Sequence, residues 1–266
     1  MADFINTVDA LGDAVVTDSI IDRSITEYKD NNVSVVASCA FYSCTSLSAV
    51  NCPACTSIQY SAFCGCTNLT TADFPAALVI NSYAFQSCSS LASVNAPACT
   101  SIGDSAFSKC SSLTSVEFPA ASVIGSCAFS RCTSLSQVSF SACTRIYSSA
   151  FNGCTSLTDV FFPVCESIGG SAFFKCSSLT KVAFPAASYI ATYAFAYCSN
   201  LSALVLNASS VCNLGTSYNF NGTPIASGTG YVYVPASLVA TYQATGYWSY
   251  ISAQISAIED SEFYEE

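Results

Sequence analysis

An Ala-Phe pair recurs every 22 residues, ending at Phe41, Phe63, Phe85, Phe107, Phe129, Phe151, Phe173 and Phe195, with neither insertion nor deletion across eight units. Three residues after each Phe stands a cysteine: Cys44, Cys66, Cys88, Cys110, Cys132, Cys154, Cys176 and Cys198. Three further on comes a leucine, from Leu47 and Leu69 through to Leu201. An apolar residue follows (Val116, Val138 and Val160 are typical), then usually Phe two later and usually Pro-Ala. An isoleucine closes the unit at Ile58, Ile80, Ile102, Ile124, Ile146, Ile168 and Ile190. A unit this short cannot bury its own apolar side, so the period demands coils stacked on one another around a shared core.

Spacing within one unit gives its local structure. In Leu113-x-x-Val116-x-Phe118 the Val and Phe alternate inward as a short strand requires, and Leu113 enters the turn before it. Pro119 has no amide hydrogen to give a ladder and ends that strand. A second short extended piece centres on Ile124, and Ala128-Phe129-Ser130-Arg131-Cys132 spaces its apolar residues like one helical or 3₁₀ turn.

The phrase Ser101-Ile102-Gly103-Asp104-Ser105-Ala106-Phe107-Ser108-Lys109-Cys110-Ser111-Ser112-Leu113 resembles the BspA-like leucine-rich repeats, and the likeness runs over residues 33–212. Gly after the Ile is kept only at Gly103, Gly125 and Gly169, so this turn varies. The resemblance implies a solenoid of leucine-rich repeats, mainly β with short helical or 3₁₀ turns. It would hold about eight 22-residue coils capped at both ends. It also implies a non-enzymatic role in adhesion and interaction at host or cell surfaces.

The expected organisation is an acidic N-terminal segment and half-coil cap (1–32), the solenoid (33–212), a C-terminal cap with a strand and helix (213–258) and an acidic tail (259–266). Run backward, the register places Ile25, Tyr28 and Val36 in the Leu, Val and Ile columns. At the far end it breaks after Cys212 and returns, shifted by six, as a ninth strand at Val232-Tyr233-Val234-Pro235-Ala236. Ser237 to Tyr242, then Trp248, Ile251, Ile255 and Ile258, have helical spacing, which predicts a helical lid over the last coil. Residues 20–27 and 222–239 look like the flanks of such repeats in gut bacterial and phage or prophage proteins.

Composition narrows the function. With no histidine, Ser-His-Asp and Cys-His catalysis and imidazole zinc sites are excluded. The formal net charge of −10 argues against nucleic acid as a partner, but it resides in the ends. Residues 31–258 carry five acids and five bases, and are neutral. No apolar run approaches the length of a membrane span. Met1-Ala2-Asp3-Phe4-Ile5 has no basic n-region or long apolar stretch, so the expected location is a virion, or a cell surface reached without such a signal, and otherwise the cytoplasm.

The cysteine column reads either as a metal or redox array or as a packing ladder of small buried thiols, and the ladder is the expected form. A second column, Cys55, Cys99, Cys143 and Cys165, alternates with Ala77, Ala121 and Ala187, again small and buried. The C-x-x-C at Cys52 and Cys55 falls where two columns coincide. No cofactor, metal or catalytic residue is nominated.

The positions flanking the inward Val point away from the core and change chemistry from coil to coil. They are either unselected solvent-facing residues or an extended recognition strip of the kind solenoids use. On the second reading the ligand-binding candidates are Asn51, Asp73, Asn95, Glu117, Gln137, Asp159, Phe161 and Lys181, with the exposed Phe161 between Asp159 and Lys181 as anchor. The expected partner is a protein or glycan on a cell surface, bound by an adhesin or by a phage tail or virion appendage. Homo-oligomers, or attachment to a larger assembly through the ends, are compatible with it. The competing reading is a rigid spacer or virion decoration without a specific ligand.

Overall fold

The computed structural model describes residues 7–8, 14–16 and 23–260. The acidic tail beyond residue 260 and much of the N-terminal acidic segment lie outside the described residues. Each coil contributes two short strands. The Ile-column strands are β1 (Thr7–Val8), β2 (Ala14–Val16), β4 (Val35–Val36), β6 (Ser57–Ile58), β8 (Val79–Ile80), β10 (Ser101–Ile102), β12 (Val123–Ile124), β14 (Arg145–Ile146), β16 (Ser167–Ile168), β18 (Tyr189–Ile190) and β20 (Asn213–Leu214). They form one 11-stranded sheet, parallel except for the β1–β2 pair. The Val-column strands are β3 (Glu27–Lys29), β5 (Ala49–Asn51), β7 (Thr71–Asp73), β9 (Ser93–Asn95), β11 (Ser115–Glu117), β13 (Gln137–Ser139), β15 (Asp159–Phe161), β17 (Lys181–Ala183), β19 (Ala203–Val205), β21 (Tyr231–Val234) and β22 (Ile255–Ala257). Tyr28 lies opposite Val50 and Val36 opposite Ile58, and both are buried in the shared core.

The Val-column sheet is interrupted. It runs as β3-β5-β7-β9, then β11-β13, then β15-β17-β19-β21-β22. Next to both breaks the central valine, Val94 or Val138, is only half-buried, whereas Val116 and Val160 are buried.

The core between the sheets is ordered by the ring stack of the Ala-Phe column, with a shorter stack of Phe118, Phe140, Phe162 and Phe184 beside it. From Phe41 to Phe195, and on to Phe220, successive rings lie 4.9–6.1 Å apart and within 11° of parallel. Phe220 is thus a ninth member of the column, reached by a 25-residue step that the strict period does not reveal. Tyr28 closes the stack edge-on at one end, and Trp248 packs on Phe220 at the other.

The Ala-Phe-x-x-Cys arc differs from the expected helical or 3₁₀ turn: it is a run of tight turns. The residues two before and two after each Phe have positive φ, for example Ser105 (54°) and Lys109 (65°); only at Gly65 and Gly153 is such a position glycine. A left-handed residue every fourth position cannot propagate a helix. Each such non-glycine residue costs about 1–2 kcal/mol. Hydrogen bonding offsets this: the Ser105, Phe107 and Lys109 amides donate to the next coil at Ser126, Ala128 and Ser130, at 2.7–2.8 Å, while the amides between them close local turns. The arc is therefore a third inter-coil ladder.

Among the described residues, the short helices α1 (Pro224–Ser227) and α2 (Val239–Ala244) and the 3₁₀ segments lie in the C-terminal cap. One departure from expectation is Ile255. It belongs not to a helical lid but to β22, which pairs in parallel with β21, Val232 against Ile255. The cap extends the strand-face sheet as well as covering the core. Trp248 Nε1 donates to the Cys212 carbonyl at 2.6 Å, and the Cys212 amide donates to the Tyr242 hydroxyl at 2.8 Å, which locks the cap to the last coil.

Candidate functional site

On the strand face the sequence places varied chemistry beside an unchanging core, and parallel register turns those positions into rows across coils. Asn51, Asp73 and Asn95 form one row. Both carboxylate oxygens of Asp73 are engaged, accepting from Asn51 Nδ2 at 2.5 Å and Asn95 Nδ2 at 2.7 Å. These three candidates are brought together, but their polar groups are turned on one another as a sheet-stabilising ladder.

Glu117, Gln137 and Asp159 rim an open groove of about 520 Å³ that crosses β11, β13 and the gap before β15. Val116 and Val138 form its apolar floor, and Ser115, Ser136 and Thr158 line its polar sides. Asp159 stands opposite Lys181 and accepts from the Thr180 hydroxyl at 2.8 Å. Phe161 is 60% exposed, the register-predicted aromatic on the surface.

From Phe161 onward a row reads Phe161, Ala183, Val205 and Tyr233, each opposite the next on adjacent strands. Tyr231 lies beside Tyr233, ring centroids 6.1 Å apart, and is 40% exposed. The face is therefore divided: amide and acid toward the N-terminus, apolar and aromatic toward the C-terminus. Tyr231 and Tyr233 are missing from the candidates drawn from the eight regular units, because a 28-residue step separates Leu204 from Val232. Their alternation in Tyr231-Val232-Tyr233-Val234 is the signal that could have added them.

The thiols do not join this face. All seventeen cysteines are free. From Cys66 onward, the seven thiols of the main column each donate to the carbonyl of the preceding coil's Phe: Cys66 to Phe41, Cys88 to Phe63, Cys110 to Phe85 and so on to Cys198 to Phe173, at 2.9–3.1 Å. The second column bonds locally, as in Cys99 to the Ser101 carbonyl at 3.2 Å. Burial pushes the Cys132 thiol up to about 12 and lifts Cys110, Cys154 and Cys176 well above the ordinary thiol range. Such thiols are protonated and unreactive at neutral pH. Among the described residues no three Cys, Asp or Glu side chains converge as a metal site. No helix among them is long and apolar enough to cross a membrane.

Two ladders of short strands, a ring stack and a strand face with variable columns define a leucine-rich-repeat solenoid, a class whose members generally act as interaction scaffolds. The chain matches the BspA type leucine rich repeat region in six copies, over residues 23–123 and 79–202, and it belongs to that family. Among solved structures it is similar to the pneumococcal vaccine antigen PcpA (13% identity, 87% of this chain and 65% of that one, TM-score 0.52). It is also similar to leucine-rich repeat proteins of T. pallidum (24%, 82% and 87%, 0.46) and Bacteroides ovatus (21%, 83% and 68%, 0.44). No curated protein matches the chain significantly.

Proposed function

We propose that this protein is a non-enzymatic interaction protein that binds a cell-surface protein through the C-terminal half of its strand face. The observation that carries the reading is the continuous row Phe161, Ala183, Val205 and Tyr233, flanked by Asp159, Lys181 and Tyr231. Aromatic anchors beside aliphatic neighbours and a charged margin make up the usual composition of a protein-binding hot spot. The groove rimmed by Glu117, Gln137 and Asp159 adjoins this row and supplies polar contacts at its edge. Display on a virion or a cell surface is part of the proposal, and attachment through the ends would leave the face free.

The test is binding of the purified, fluorescently labelled protein to intact cells, read by flow cytometry, for wild type, Phe161→Ala and Asp159→Ala. Phe161→Ala is expected to weaken binding by about tenfold or more, as loss of a hot-spot anchor does. Prior protease treatment of the cells should abolish the signal. Binding that is absent, or indifferent to both substitutions, leaves the rigid-spacer reading in its place.

A further inference from the structure

The 11-stranded sheet presents a second face, and from β4 to β12 the residues flanking the inward one on that face are neither charged nor aromatic. The residue before the inward one reads Val35, Ser57, Val79, Ser101 and Val123, and the residue after it Ala37, Gln59, Asn81, Gly103 and Gly125. Three adjacent coils depart from the pattern together. Arg145 and Tyr147 stand on or next to β14, Glu166 precedes β16, and Tyr189 opens β18. Arg145, Ser167 and Tyr189 are opposite one another in register, which sets Arg145 and Tyr189 two strand spacings, about 10 Å, apart.

Their environment is built rather than incidental. Tyr147 occupies the glycine column between Gly125 and Gly169, so no side chain in its own row covers its ring, which is 42% exposed. The Arg145 guanidinium carbon lies 5.9 Å from the centre of that ring. The Tyr189 hydroxyl reaches over Gly215, where an added Cβ would come within 3.2 Å of it, and this ring is 40% exposed. Between the tyrosines lies a shallow cavity of about 340 Å³, lined also by Thr144, Glu166, Ser167 and Ser188. Two of those hydroxyls are already oriented: Thr144 Oγ1 donates to the Ser122 carbonyl at 3.2 Å and Ser188 Oγ to the Glu166 carbonyl at 3.1 Å. With their protons committed, both hydroxyls retain only acceptor capacity for a ligand.

We propose that this cavity is a carbohydrate site, taking a neutral pyranose segment of a surface glycan. Three properties select that chemistry. One guanidinium and one carboxylate leave the lining without net charge, which disfavours phosphate, nucleic acid and strongly charged peptides. Fixed acceptors beside a forked donor match the mixed donor and acceptor pattern of adjacent sugar hydroxyls. Two exposed tyrosine rings offer π-faces to the apolar C–H side of a sugar ring. A cavity at the small end of the ligand-pocket range, about 300–1,000 Å³, has room for a short glycan segment and little more. The site lies on the sheet opposite the strand face and does not depend on the protein-binding reading.

Neutral hexasaccharides of β-1,4-glucose, β-1,3-glucose, α-1,4-glucose, β-1,4-mannose and β-1,4-N-acetylglucosamine, examined by saturation-transfer NMR and calorimetry, form the test. At least one is expected to bind with a Kd of about 1 mM or tighter. Tyr147→Ala and Tyr189→Ala should each weaken it about tenfold, a loss of one stacking platform. Glu166→Gln should weaken it less, and Phe161→Ala should leave it unchanged. The substituted side chains are exposed, and an unchanged melting temperature verifies the fold of each variant. The proposal is overturned if none of the five binds at about 10 mM, if Tyr147→Ala binds as well as wild type, or if Phe161→Ala is the variant that loses binding.

Discussion

Replacing Cys132 by alanine and by serine separates a hydrogen-bonded thiol ladder from mere filling of space. Cys132 is fully buried, and its Sγ lies 3.1 Å from the Phe107 carbonyl oxygen. Alanine removes the sulfur, comparable to burying one methylene less, at about 0.8 kcal/mol. The small void left between rigid coils adds about 0.5 kcal/mol. Losing a weak S–H donor adds about 0.5 kcal/mol, at the low end for a hydrogen bond, because the Phe107 carbonyl still accepts from the Cys110 amide at 3.0 Å. The expected loss for Cys132→Ala is therefore about 2 kcal/mol. Serine keeps a donor aimed at the same carbonyl, so Cys132→Ser should cost no more than alanine. If the column were only packing, the buried hydroxyl would lack an acceptor and serine would fall below alanine by about 1–3 kcal/mol. Urea unfolding followed by far-UV circular dichroism, with fluorescence of the single tryptophan, Trp248, as a second probe, measures both variants. A serine variant more than about 1 kcal/mol less stable than the alanine variant refutes the ladder.

Three further outcomes are expected. Stability under reducing conditions should be level up to about pH 8 and fall steeply above it: the unfolded chain ionises its thiols near 8.5, whereas buried Cys132 stays protonated to about 12, so each such thiol removes about 1.4 kcal/mol per pH unit; a urea midpoint unchanged to pH 10 would falsify this. Gly125→Ala should cost about 3 kcal/mol or more, since its Cβ would sit 2.6–2.8 Å from the backbone of Gly103 and Asp104, whereas Gly170→Ala, meeting only the Thr192 oxygen at 3.3 Å, should stay within about 1 kcal/mol of wild type in the same unfolding assay. Trp248→Ala should cost about 3–5 kcal/mol and expose residues 213–258 to limited proteolysis, because it uncovers Phe220 and leaves the Cys212 carbonyl without its donor; cleavage at the wild-type rate contradicts that role for the cap.

Much of this molecule is legible in the chain because its information is periodic. The Phe, Cys, Leu and Ile columns are core in every regular coil and the Val column in most, and the strands at Tyr28 and Val232 follow from extending or shifting one register. What resists reading is whatever breaks the period or depends on backbone handedness. Ser105 and Lys109 give no sequence sign that they adopt positive φ, a conformation imposed by amides reaching the next coil. Ile255 shares helical spacing with Ile251 and Ile258, yet it pairs as a strand, because the open edge of β21 offers backbone partners that helical periodicity does not register. The Asn51, Asp73 and Asn95 row and the groove beside Gln137 look alike in sequence. One is closed by its own hydrogen bonds and the other is open because the sheet is interrupted there.

The sequence by itself determines that the chain stacks, with what period, which columns are buried, and that the solenoid body is neutral while the charge lies at its ends. Those properties depend on spacing along one coil and are repeated until chance is excluded. Only the tertiary structure decides that each thiol of the ladder meets a phenylalanine carbonyl, that Tyr231 and Tyr233 extend the row begun by Phe161, and that Tyr147 and Tyr189 share a cavity with Arg145 and Glu166. These are relations between coils, set by strand register, by the close approach glycine permits and by the step lengths at the cap. A contact between residues 22 to 44 positions apart is a property of the stack, and no single repeat contains it.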